Sequence, residues 1–377
     1  MDPLKKVEEI IAEIHKIYYE QKNYPKLVIH RPWSKDNPEI SGELSVPDAY
    51  TFYLKQELKN LISMGAEIRV EASRPITSPY TSKVLDYVDE QDLDLRNKKI
   101  FMFGPERIEL SVERLKHYTG TDIEDFQSHI LLTNYSMHMD SFAEVYPDCV
   151  KPKGDVQMPA YHHKMHGNTG ITIVNIGVGP SNAKTFTDHV CVLKPDVMLM
   201  IGHCGGLRNN QACGDFVLAN SYWRDDRVLD EVLPFRAPVV PNHLLNEIIM
   251  DVLDEKKLTY RVGCVFSTAD RNWEFYKNRY IHDFALSRSL GVDMESATIA
   301  GNGYRYRVPN ATLLMVSDKP LHGKLKRSVE AQAFYQNTKE VHIQVAIKVM
   351  MECRQRFPQG FPASMLRGLY DPLMISM

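Results

Sequence analysis

The chain has 377 residues, 44% apolar and 25% charged, a composition that suits a folded globular protein with room for two cores of unequal size. A formal charge of −3 supplies no field to draw nucleic acid or an anionic membrane, so a phosphate-bearing ligand has to be caught locally. The charged amino terminus lacks a signal-peptide core, no run reaches the roughly 20 apolar residues of a membrane span, and the six cysteines form no C-x-x-C pair. Reduced thiols in the cytoplasm are therefore expected.

In chain order, residues 1–126 read as a small α+β domain. It has a polar first helix, an apolar run KLVIHRP (26–32), a helix near 47–63 and the strand-like EIRVEAS (67–73). The segment VDEQDLDLRNKK (88–99) is charged and expected to be exposed. From 127 to 377 the pattern changes to short apolar runs alternating with amphipathic segments. The runs HILLTN (129–134), GITIVNIG (170–177), DVMLMIGHCGG (196–206), GDFVLANSY (214–222), YRVGCVFSTAD (260–270) and ATLLMVSD (311–318) suit strands buried on both faces. Helical patterns fall at 181–193, 242–256, 273–288, 295–305 and 330–356. Alternation of this kind implies an α/β fold, helices packed on a parallel or mixed sheet, with ligands collecting beyond the carboxyl ends of the strands. The tail FPQGFPASMLRGLYDPLMISM has turn residues and scattered hydrophobes that either pack on a neighbour or lie loosely.

The strand ends carry the unusual residues. In NIGVGPSNAKTF (175–186), Gly177 and Gly179 followed by Ser181 at a helix start expose backbone N–H groups to an anion or a sugar hydroxyl, or simply make a tight capped turn. In IGHCGGLR (201–208), Gly205 lets the backbone approach a flat ligand, and Arg208 is either a phosphate fork or a surface arginine. His203 and Cys204 lie there too, and HHKMH (162–166) fits a hairpin. Neither has a second ligand pair at metal spacing, so no metal is expected and the histidines read as structural. In VDMESATIA (292–300), Glu295 begins a helix, where it either offsets the helix dipole or grips a vicinal diol. In LLMVSDKPLHG (313–323), Asp318 ends a buried strand. Shielding from water would make it a general acid, whereas pairing with Lys319 would keep it ionised. Trp273 is a candidate for base stacking or plain core.

Taken together and in order, GVGPSNA, GHCGGLR, GDFVLA, DMESATIA and VSDKPLHG resemble the nucleoside phosphorylase and nucleosidase superfamily. RDDRVLD, DRNWE, GYRYRVP, LKHYTGT (115–121), LLTNY (131–135) and SPY (78–80) are similar to the AMP nucleosidase family within it. The resemblance implies a phosphorylase-like catalytic domain, a mixed sheet in three layers, preceded by the small α+β domain. It implies that Asp318 protonates adenine N7, that Met294 and Glu295 hold the ribose, and that Gly177, Gly179, Ser181 and Gly205 shape the ribosyl pocket. Trp273 would stack on the base, and Arg208, Lys319 and His322 would meet the 5′-phosphate. Phosphorylases of the superfamily follow the first catalytic strand with an arginine for nucleophilic phosphate. Here the turn reads Asn134-Tyr135-Ser136-Met137-His138, which favours water. The activity so implied is hydrolysis of AMP to adenine and ribose 5-phosphate, with no cofactor required for catalysis. Mg-ATP would be an activator and phosphate an inhibitor, and the assembly would be a homo-oligomer, a hexamer in particular.

Overall fold

The computed structural model describes residues 3–35, 38–77, 103–323 and 328–362, with the backbone alone for 328–337 and 339. The charged segment 88–99, the motif at 78–80 and the tail beyond 362 lie outside the described residues.

The amino-terminal part is a three-stranded antiparallel sheet with β1 (Asn23–His30) between β2 (Glu39–Glu43) and β3 (Glu67–Pro75). Helices α1 (Pro3–His15) and α2 (Thr51–Ser63) cover it, burying Val7, Ile10, Ile14, Leu54, Leu58 and Leu61 against Leu27 and Ile29. These apolar positions recur at three- and four-residue intervals, which is why the segments fold as amphipathic helices. A further helix, α3 (Pro105–Thr119), joins the two parts: its Ile108 enters this core and its Leu115 enters the next. Across the same seam the Tyr50 hydroxyl donates to the Val192 carbonyl at 2.8 Å.

The larger part is an eight-stranded mixed sheet. Its strands are β4 (His129–Thr133), β5 (Ala160–His163), β6 (Ile171–Asn175), β7 (Val197–Gly206), β8 (Phe216–Asp225), β9 (Tyr260–Thr268), β10 (Gly291–Asp293) and β11 (Asn310–Asp318), in the spatial order β10-β9-β8-β11-β7-β4-β6-β5. The last strand among the described residues, β11, thus lies in the middle, parallel to β7 and antiparallel to β8. Gly205 and Gly206 at the end of β7 also pair with Val292 and Gly291, so β7, β11, β8, β9 and β10 close on themselves.

Alternation along the strands builds the layers. Leu131, Ile173, Leu199 and Ile201 face one core, shared with α4 (Ser136–Val145), α6 (His243–Glu255) and α9 (Ser328–Arg356). Ile130, Leu132, Met198 and Met200 face the other, under α5 (Pro180–Val190) and α8 (Ser296–Tyr306). The remaining helix, α7 (Lys277–Ser287), follows a short turn of helix at Trp273–Tyr276. All six expected apolar runs are strands, and the histidine-rich segment enters the expected hairpin, β5 antiparallel to β6. The first part of the tail packs on its own chain. Phe361 is buried in the first core, and its N–H donates to both carboxylate oxygens of Asp196 at 2.8 and 3.0 Å. Among the described residues no helix is long and apolar enough to cross a membrane.

Candidate active site

A cleft of about 800 Å³ of empty space opens over the carboxyl ends of β4, β7, β9, β10 and β11. Its lining brings together Gly205, Trp273, Met294, Glu295 and Asp318, which the sequence disperses over more than a hundred positions.

Glu295 sits between β10 and α8 and is only 2% exposed. The Gly179 N–H donates to Oε1 at 2.6 Å and the Asn134 side-chain amide donates to Oε2 at 3.1 Å, so three strand ends converge on one carboxylate. Gly179 reaches it because the chain runs through Gly177 at φ +72 and Gly179 at φ +108, conformations that a side chain would strain. Asp293, also buried, accepts hydrogen bonds from the Ser267 hydroxyl at 2.5 Å and from the backbone N–H and hydroxyl of Ser296. Burial, and then the neighbouring Asp293 charge, push the Glu295 carboxyl well above the usual range. Burial raises Asp293 as well, but it has the richer set of donors, so Glu295 is the more readily protonated of the pair. This differs from the ionised Glu295 that a helix amino terminus alone suggests, because desolvation outweighs the dipole.

Asp318 ends β11 and is 9% exposed, with the Ser317 hydroxyl donating to Oδ1 at 2.6 Å. Lys319 turns elsewhere, its ammonium donating to the Asn209 carbonyl at 2.6 Å. Trp273 is both cleft wall and core, edge-on to Phe284 at 5.2 Å between ring centres.

The remaining sequence candidates fall outside the lining. Ser181 is exposed on the first turn of α5, and its carbonyl accepts from the Thr185 hydroxyl. Arg208 reaches the Phe284 carbonyl at 3.5 Å, and His322 faces the Leu207 carbonyl at 3.2 Å. Arg208, Lys319 and His322 thus brace the 207–210 loop by binding carbonyls, and none of them lines the cleft. Among the described residues, the guanidinium that does line it is that of Arg271, exposed in the turn after β9 beside Asp270. DRNWE was read for its tryptophan, and the arginine two positions earlier was missed.

Behind the cleft wall lies a further group that sequence spacing concealed. His203 of β7 lines the cleft, with Tyr135 edge-on at 4.6 Å, and its ring stands 5.7 Å from those of both His138 (α4) and His342 (α9). Burial pulls the His342 imidazole down to about 4 and holds His138 well below its usual value, so both rings are neutral.

A family model described as the phosphorylase superfamily matches residues 135–350. The chain belongs to the phosphorylase superfamily. An AMP nucleosidase of Escherichia coli is 43% identical over 290 residues, covering 66% of this chain and 59% of that protein. The chain therefore aligns with well under two thirds of that relative's length. A DeoD-type purine nucleoside phosphorylase of Bacillus velezensis is 26% identical over 218 residues, covering 55% of this chain and 88% of that one. Among solved structures, the crystal structure of AMP nucleosidase from Bacteroides thetaiotaomicron superposes with a TM-score of 0.57 at 28% identity, covering 66% of this chain and 99% of that one. The phosphorylase-superfamily fold is thus carried by the mixed sheet, and the cleft lies at the ends of its strands.

Proposed function

We propose that this superfamily member hydrolyses the N-glycosidic bond of AMP, giving adenine and ribose 5-phosphate. The observation that carries the proposal is the pairing, in one cleft, of a strand-end acid, Asp318, with the buried carboxyl of Glu295, in a chain 43% identical to an AMP nucleosidase.

Breaking the bond of a purine ribotide leaves electron density on the base and positive charge on the sugar. Asp318 delivers a proton to adenine N7, which neutralises the departing base, and a positioned acid of this kind contributes roughly 100- to 10,000-fold. Its carboxylate is left with the Ser317 hydroxyl as donor. Glu295, fixed through Gly179 and Asn134, gives up its proton to solvent as AMP binds and accepts from the ribose hydroxyls as a carboxylate, so its attraction grows as the sugar becomes cationic and is greatest in the transition state. Met294 packs on the sugar and Trp273 walls the base. Arg271 is the cleft's candidate for the 5′-phosphate, in place of Arg208, Lys319 and His322. Residues 134–138 carry no arginine, which supports water as the nucleophile.

Six free cysteines fit a reducing compartment, and the proposed location is the cytoplasm. Phe275, Tyr276 and Leu286, exposed by 82%, 61% and 61%, follow the cleft-lining Trp273 and support a homo-oligomer, proposed as a hexamer. Mg-ATP activation and inhibition by phosphate are proposed on the family resemblance. Product analysis tests the central reading. Incubation with AMP should yield adenine and ribose 5-phosphate without added phosphate, whereas ribose 1,5-bisphosphate formed only with phosphate would make the protein a phosphorylase.

A further inference from the structure

We propose that His138, His203 and His342 hold a divalent first-row metal cation, zinc in the first instance, immediately behind the wall of the cleft. The three residues come from α4, β7 and α9, and one ring nitrogen of each lies within 4.8 Å of the other two. A tetrahedral zinc bound at about 2.0–2.1 Å spaces its nitrogen ligands by roughly 3.4 Å, so the group needs to contract by at most about 1.4 Å.

The hydrogen bonds around the rings give the site its direction. The Leu313 carbonyl accepts from His342 Nε2 at 3.1 Å; a carbonyl can only accept, so Nε2 holds the ring proton and Nδ1 presents its lone pair. That Nδ1 is buried and meets no hydrogen-bond donor. A ligand nitrogen opposite an N–H held by a backbone carbonyl is the arrangement that orients metal-bound imidazoles. His138 takes the same orientation when the Thr133 hydroxyl, 2.8 Å from Nδ1, is the acceptor; its Nε2 is buried with no hydrogen-bond partner. Two stranded ring nitrogens in one apolar core are costly for a purely structural cluster, and a cation would satisfy both at once. His203 completes the triad from the cleft side, since of the three it alone lines the cleft. Three imidazoles beside a ligand cavity are a donor set that suits zinc or cobalt better than magnesium or calcium, which prefer oxygen. Cys204, the next residue, takes no part: its side chain packs against Gly291 in a separate core.

The test uses the full-length protein without a histidine tag, stripped with a chelator and titrated with Co²⁺ and then Zn²⁺. The expected result is uptake of about one Co²⁺ per chain with the visible bands of a four- or five-coordinate nitrogen site, bleached by Zn²⁺. His342→Ala and His138→Ala, each checked for native circular dichroism, should weaken uptake roughly 100-fold or more. The wild-type spectrum decides the matter even if both variants fail to fold, because thiolate ligation adds intense near-ultraviolet bands and imidazole ligation does not. Uptake below about 0.1 equivalent, sulfur-ligand bands, or full uptake by folded variants would each overturn the proposal.

Discussion

Glu295→Gln should make the protein more stable and less active, with the stability gain growing as pH rises. The wild-type carboxyl is buried beside Asp293, and both the burial and that charge raise its proton affinity above that of the unfolded chain, for which 4.5 is the ordinary value. Below that value the proton is held in both states and costs nothing. As pH climbs towards the raised folded value, the unfolded chain gives up the proton first. The folded state then binds more protons, and wild-type stability declines by up to about 1.4 kcal/mol per pH unit. Glutamine never ionises and escapes this loss, so two pH units within the window give it a lead of ~3 kcal/mol. The hydrogen bonds survive the exchange. The Gly179 N–H still meets an amide oxygen, and Asn134, whose Oδ1 is buried without a partner, can turn its amide to accept from the new NH₂. Paired calorimetric melts at about pH 6 and about pH 8, with adenine release measured alongside, check both halves. A glutamine variant no more stable than wild type, or a lead that shrinks with rising pH, would show that Glu295 is ionised in both states and would refute the reasoning.

Asp318→Asn should lower kcat for adenine release by roughly 100- to 10,000-fold while AMP affinity, read by calorimetric titration, changes little. Arg271→Ala should lower kcat/KM for AMP by roughly 10- to 100-fold with adenosine unaffected, as one charge-assisted contact of about 1.5–3 kcal/mol requires. Arg208→Ala, whose guanidinium faces the Phe284 carbonyl, should preserve the AMP preference, and a reversal of these two results would return the phosphate to the 207–210 loop. Asp196→Ala strips the Phe361 N–H of its acceptors and should cost about 1–3 kcal/mol in urea unfolding, with no change in substrate preference.

The strands of the larger part were legible because each is a dense apolar run between turn residues, and the alternation from Ile130 to Leu132 already encodes two covered faces. Asp318 and Glu295 stood out as charged residues at strand ends, but position alone left each between a structural and a chemical role, and the proposed roles came from the family resemblance; the structure places both in the cleft lining. The phosphate candidates misled because position in a turn says nothing of side-chain direction. Lys319 adjoins Asp318 yet points to Asn209. Helix α4 went unseen because SMHMDSFAEV mixes polar and apolar residues too evenly to show a face, though His138, Met139 and Phe142 are all buried. The histidine triad left no local signal at all. Its members are 65 and 139 positions apart, and only the packing of α4 and α9 on β7 brings them together.

The position of β11 also governs how the molecule can be made. Among the described residues it is the last strand to leave the ribosome, yet its place is between β7 and β8, made some hundred residues earlier. Until residue 318 is available, those two strands present unpaired edges, a template for pairing with other chains. The central seam cannot zip from a local hairpin and has to wait for a long-range insertion, which is slow. The same insertion carries Asp318 into the cleft, so a chain cut short before that point would be both an aggregation hazard and devoid of its proposed acid. Nascent molecules of this protein should therefore depend on holding chaperones until the final strand arrives, and should acquire activity in one step when it does.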